Sequence, residues 1–118
     1  MPTIYRVEDP SLQGPYSVGH GSATLRMRND HNSGPMQLHP SPYVSMQVSM
    51  SRQPSSTKCA FDSMQALFRW FGGWLPGILK EGFHIAAIDN ASVTHGPDHT
   101  GQVLFQDRRT NAGPVTYP

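Results

Sequence analysis

Cysteine occurs once in the 118 residues, at Cys59, so no intrachain disulfide can form. A reducing compartment is the expected home. Charge is scarce as well: Asp, Glu, Lys and Arg make up 14% of the chain, and nine cations face eight carboxylates. The nearest approaches to a basic tract are Arg26/Arg28 and Arg108/Arg109. That balance argues against a dedicated nucleic-acid binder, whose affinity rests on clustered cations displacing phosphate counterions. No apolar run reaches the roughly 18 residues that a membrane helix needs. The opening residues MPTIYRVEDP carry neither the basic nor the apolar stretch of a signal peptide, so the expectation is cytoplasmic action without a membrane.

What the chain has in quantity is glycine and proline, eleven of each, with 36% hydrophobic residues. Low charge with moderate hydrophobicity fits a small core wrapped in extended loops better than it fits a disordered chain. The expected organisation is one domain over residues 1–107, with a long irregular segment at 11–42 and a flexible tail at 108–118.

TIYRV (3–7) reads as a strand that ends at Glu8-Asp9-Pro10. SATLRMR (22–28) alternates weakly and reads as a short strand. YVSMQVSM (43–50) alternates cleanly, and SRQPSST (51–57) reads as a linker. The stretch CAFDSMQALFRWFGGW (59–74) gathers most of the aromatic mass. Asp62 is placed to cap a helix, with Gln65 completing a capping box. Met64, Leu67, Phe68 and Phe71 fall on one helical face, and Gly72-Gly73 supplies the stop. WLPGILKEG (74–82) reads as a second short helix, FHIAAID (83–89) and QVLFQ (102–106) as strands. The fold class is therefore α+β: a mainly antiparallel sheet covered on one face by a helix pair at about 63–71 and 75–81.

The chemistry-bearing residues are scattered. His95, Asp98 and His99 form the densest histidine group, but Gly96-Pro97 keeps the two imidazoles off a common helix face, and no metal site is expected. Cys59 precedes a helix start, yet a lone cysteine is more often a small core residue than a nucleophile. His84 lies within a strand on either reading, as a packed imidazole or facing a cleft. No Ser-based triad, phosphate loop or dinucleotide glycine pattern is present, so no catalytic set is assigned. His20, between Gly19 and Gly21, and Arg6, in the first strand, are the alternative ligand-binding candidates. On the aromatic helix, Arg69 and Trp70 fall off the predicted core stripe. Together with Trp74 they are the residues expected to meet a partner.

The succession IYRVE, GPY (14–16), CAFDSMQALFRWF, GFHIAAID and QVLF resembles a pattern in small bacteriophage and prophage proteins. The resemblance covers about half the chain in short blocks. It implies action in the bacterial host cytoplasm and a role in modulating the host. Anti-CRISPR inhibitors are of that kind, acting by stoichiometric binding to a bacterial protein or ribonucleoprotein complex. The layout is also faintly similar to an ADP-ribosyltransferase fold. That likeness implies NAD as the alternative cofactor, with Arg6 and Tyr16 (or Tyr43) in contact with it. The late strand has Gln102 and Gln106 where that family carries a glutamate, and an amide cannot stabilise positive charge as a carboxylate does. Three functions are thus expected in order: a binding inhibitor without catalysis, an NAD-binding enzyme or pseudoenzyme, and a homo-oligomeric accessory protein.

Overall fold

The computed structural model describes residues 3–16, 21–33, 56–89, 93–95, 101–109 and 115–117. The described elements are β1 (Thr3–Glu8), α1 (Ser22–Ser33), β2 (Thr57–Phe61), α2 (Met64–Phe71), a 3-10 turn (Gly72–Trp74), α3 (Leu75–Lys80), β3 (His84–Asp89), β4 (Val93–His95), β5 (Gln102–Gln106) and β6 (Val115–Tyr117). Six strands form one sheet in the order β4-β5-β2-β1-β3-β6, and every neighbouring pair is antiparallel. The class is α+β. No described helix is long and apolar enough to cross a membrane.

Strand alternation sorts the core into two clusters. Tyr5, Val7, Phe61 and Ile85 join Met27 of α1, Leu67, Trp70 and Phe71 of α2, and Leu75 and Ile78 around α3. Their neighbours on the same strands project the other way. Ile4, Ala60, Ala86, Ile88, Val103 and Phe105 make the second cluster, with Val93 against it. β5 is buried along most of its length because β2 and β4 flank it and both its faces are covered. Such a strand reads as the continuous run QVLF rather than as an alternation.

Several local expectations give way to tertiary structure. Residues 22–28 form a helix, not a strand. Thr24, Met27 and His31 are its buried side chains, spaced three and four apart. Its first turn is capped from far along the chain: the Glu81 carboxylate accepts the amides of Ala23 at 2.7 Å and Thr24 at 2.9 Å, and the Thr24 hydroxyl. A carboxylate there meets both the free amides and the positive end of the helix dipole. Residues 57–61, expected as linker and helix approach, are the central strand β2. Its ladder to β5 runs from Thr57↔Gln106 to Phe61↔Gln102.

The aromatic helix is also turned relative to expectation. Ser63, not Asp62, is the N-cap, and its hydroxyl accepts the Ala66 amide at 3.0 Å. The buried stripe is Ala66, Leu67, Trp70 and Phe71, whereas Phe68 is 38% exposed. Trp70 is therefore a core residue. Leu67, Trp70 and Phe71 are an i, i+3, i+4 set, so burying that face brings Trp70 in and turns Phe68 out. Gly72 does end the helix, at φ +56°, with its amide on the Phe68 carbonyl. At the chain end, Val115–Tyr117 pairs with β3 rather than trailing loosely. The strand expected at 43–50 lies outside the described residues.

Candidate functional site

β1 and β2 are in register only at Tyr5↔Phe61, while β1 and β3 pair at six positions, from Thr3↔Asp89 to Glu8↔His84. Beyond Tyr5 a side chain joins the two central strands: Arg6 Nη1 donates to the Cys59 carbonyl at 2.6 Å. A strap at residues 9–16 is fixed over this junction. Asp9 Oδ1 begins it by accepting the amides of Ser11 and Gln13, both at 2.9 Å, which is an Asx-type turn. Lys58 Nζ then donates to the Leu12 carbonyl at 2.9 Å. Gly14 passes so close to Arg6 that a Cβ there would sit 3.0 Å from Arg6 Nη2. Arg28 Nε donates to the Pro15 carbonyl, and Trp70 Nε1 donates to the Tyr16 hydroxyl at 2.8 Å.

The Gly14-Pro15-Tyr16 motif thus has one anchor per residue. Glycine admits the guanidinium, the proline carbonyl receives α1, and the tyrosine hydroxyl joins α2 to α1. An indole N–H can only donate, so the Tyr16 oxygen accepts from Trp70, and the same hydroxyl shares a hydrogen bond with His31 Nδ1 whose direction follows the imidazole tautomer. Tyr16 is 45% exposed as a residue, but its hydroxyl is enclosed among these partners. Burial raises its pKa, and the Trp70 hydrogen bond offsets only part of that. Phe71 stacks on the Tyr16 ring, with centroids 6.3 Å apart, and Phe61 packs against Trp70 at 5.3 Å.

On the other side of the sheet, at the same end, charges replace the apolar cluster. Glu8 is fully buried and meets Arg109 in a fork, with Nη1 and Nη2 each 2.7 Å from a carboxylate oxygen. Asp107 accepts Arg109 Nε at 2.8 Å, Arg109 Nη2 at 2.9 Å and Lys58 Nζ at 2.9 Å. Arg6 Nε lies 3.3 Å from Glu8 Oε1, and His84 Nε2 lies 3.9 Å from Glu8 Oε2. Burial alone would raise the Asp107 pKa, but the hydrogen bonds from Arg109 and Lys58 outweigh it and hold the carboxyl well below the usual range. For Arg109 the bonds to Asp107 and Glu8 outweigh burial and raise the pKa. Arg6 goes the other way: burial lowers its pKa despite Glu8.

These arrangements place the expected site residues. Arg6 and Tyr16 are anchored at the two ends of the Gly14–Tyr16 motif, their polar groups engaged with Cys59, Trp70 and His31. His20 lies outside the described residues, as do Tyr43, Asp98 and His99. His95 belongs to β4, and no group of three metal-ligating side chains occurs among the described residues. Cys59 is a poor nucleophile, since burial pushes its thiol up to about 11 against the pull of Arg6. Trp70 is internal, whereas Arg69 is exposed and Trp74 is half-buried with its indole N–H 3.2 Å from Asp30 Oδ2. Sequence reasoning missed Glu8, Lys58, Asp107 and Arg109, because no local spacing links Glu8 to Arg109, 101 positions on, or Lys58 to Asp107, 49 positions on.

A family model described as Bacteriophage T4 Y00F protein matches residues 1–115. No curated protein and no solved structure matches the chain.

Proposed function

The chain belongs to the bacteriophage T4 Y00F protein family, and from that premise we propose that it is a phage accessory protein that binds and blocks a bacterial defence complex, in the manner of an anti-CRISPR inhibitor. The observation that carries this reading is the outward side of the helices. Leu25 is 57% exposed on α1 and Phe68 is 38% exposed on α2, on helices whose inner sides build the core. Arg69 is exposed next to Phe68, and Arg26 next to Leu25. Large apolar and arginine side chains left outward are the residue types that anchor protein interfaces. The binding set is therefore Leu25, Phe68 and Arg69, with Trp74 following the last two in sequence, while Trp70 supports it from within.

A second support is the state of the reactive groups. The Cys59 thiol is held protonated by burial, and Glu8 and Asp107 are committed to arginine and lysine. A chain organised this way suits stoichiometric binding better than turnover. The test is capture by the tagged full-length chain from a lysate carrying a CRISPR effector, together with interference measured in cells. The expected result is recovery of an effector subunit and loss of interference, both weakened by Phe68→Glu in a chain that keeps its circular dichroism spectrum. Full interference in cells expressing the wild-type chain would overturn the reading.

A further inference from the structure

Among the described residues three large apolar side chains are left exposed: Tyr16, Leu25 and Phe68. They come from the strap, α1 and α2, and short contacts join them into one row. Arg28 Nε donates to the carbonyl of Pro15, the residue before Tyr16, and Leu25 precedes Arg28 by three residues on α1. Residues three apart on a helix are surface neighbours, so Leu25 lies beside the strap. On the other side the Tyr16 ring stacks on Phe71, and Phe68 precedes Phe71 by three residues on α2. Tyr16 is therefore the middle of the row. Its hydroxyl is held inside by Trp70 and His31, which fixes the ring while much of the residue stays in water. An aromatic side chain ordered in advance loses little entropy when a partner covers it.

We propose that the row Leu25, Tyr16 and Phe68 docks an acidic protein segment, with an apolar side chain of the partner set against Tyr16 and carboxylates beside it. The inference rests on the binding reading above and names the chemistry of the partner. Charge decides the class. The exposed cations of the helical layer are Arg26, Arg69 and Lys80. Arg26 adjoins Leu25 and Arg69 adjoins Phe68 in sequence, one at each end of the row. The carboxylates of the layer lie off the row: Glu81 caps α1, Asp30 meets the Trp74 indole, and Asp62 lies against Gly101. An acidic partner thus meets cations at both ends and no carboxylate in between. A nucleic acid fits less well, because a few cations spread around an apolar row release few counterions.

Selection of random linear peptides, displayed against the immobilised full-length chain, tests this. The enriched peptides are expected to carry an aromatic or leucine side chain among Asp and Glu. The best of them, labelled for fluorescence anisotropy, should bind saturably at one per chain and more weakly as salt is raised. Tyr16→Ala and Leu25→Ser should each weaken it at least about tenfold, the scale of losing an interface anchor. Arg108→Gln, at an exposed position on the charged end of the sheet, should leave it unaltered. If Tyr16→Ala fails to fold, Leu25→Ser decides, since that side chain lies mostly outside the core. Undiminished binding in the folded variants overturns the proposal. So does enrichment of no peptide, or of peptides without acidic residues, and so does displacement of the peptide by duplex DNA at the same salt. The two readings fail separately. Acidic peptides selected while interference stays intact in cells remove the defence-complex reading and keep this one. Loss of interference with no acidic peptide selected removes this one alone.

Discussion

Arg109 reaches back across 101 residues to hold Glu8, its two terminal nitrogens each 2.7 Å from one carboxylate oxygen. Glu8 is fully buried, and the fork is what keeps its charge tolerable. Removing one member of a buried pair leaves the other desolvated and unpaired. Arg109→Ala is therefore expected to destabilise the fold by about 3–5 kcal/mol. Arg109→Lys should recover only part of this, because an ammonium cannot match both oxygens at once. Urea unfolding of the three chains checks the order.

Asp107 gives the same cluster a pH dependence. Its folded carboxyl titrates well below the ordinary aspartate range because the bonds from Arg109 and Lys58 outweigh burial. A depressed pKa contributes stability that is complete above the unfolded value of about 3.9 and is lost as pH falls through the folded one. Unfolding free energy should thus be level near neutrality and drop below about pH 5. Asp107→Asn should be less stable at pH 7 and lose less of its stability between pH 5 and pH 3. A drop of the same size in the variant would assign the acid sensitivity to other carboxylates.

The strands IYRV, HIAAID and QVLFQ were legible because each is short, apolar and bounded by turn residues. The stop at Gly72 was legible because a positive φ favours glycine. β2 was not: TKCAF holds no alternation, and its identity comes from pairing with β5 more than forty residues away. α1 was not either. Its polar sequence is a poor amphipath, and its cap, Glu81, lies 58 residues past Ala23. The face of α2 that buries Trp70 was set by tertiary partners, Phe61 against its ring and Tyr16 on its N–H, which the local pattern does not show. Of the site, GPY was visible as a motif, but its anchors Arg28, Trp70 and His31 meet it only in three dimensions.

Gly14 tests the strap directly. A methyl group there would stand 3.0 Å from Arg6 Nη2, and Arg6 is pinned through Nη1 to Cys59. Gly14→Ala must shift the strap or break that bond, at a cost of about 1–3 kcal/mol. Combining it with Arg6→Ala should cost less than the sum of the two single changes, because the clash disappears with the side chain. A double-mutant cycle in urea measures the coupling, and strict additivity would show that the two groups do not meet.

Cys59 should be slow to label. With its thiol pushed from 9.0 up to about 11 by burial, the thiolate fraction at pH 7.5 is about a hundredfold below that of an unperturbed thiol. Alkylation by iodoacetamide is expected to be slower by at least that factor than in the urea-unfolded chain. The rate should climb about tenfold per pH unit to beyond pH 10. A fast reaction at neutral pH would mean that the thiol is open and activated.

Phe68 and Trp70, two residues apart on one helix, should separate binding from stability. Trp70 is 7% exposed, packs on Phe61 and donates to Tyr16, so Trp70→Ala removes a large core volume and is expected to cost about 3–5 kcal/mol. It also leaves Tyr16 without its donor. Phe68 is 38% exposed, and Phe68→Ala should cost about 1 kcal/mol or less, since only part of the ring leaves water on folding. For capture of a partner the order reverses in the folded proteins. Phe68→Ala should lose most of the affinity, whereas Trp70→Phe, which keeps the ring packing and gives up only the N–H, should retain it. Thermal unfolding paired with binding by the same two variants reads both orders, and equal loss of affinity in the two would place the contact surface elsewhere on the fold.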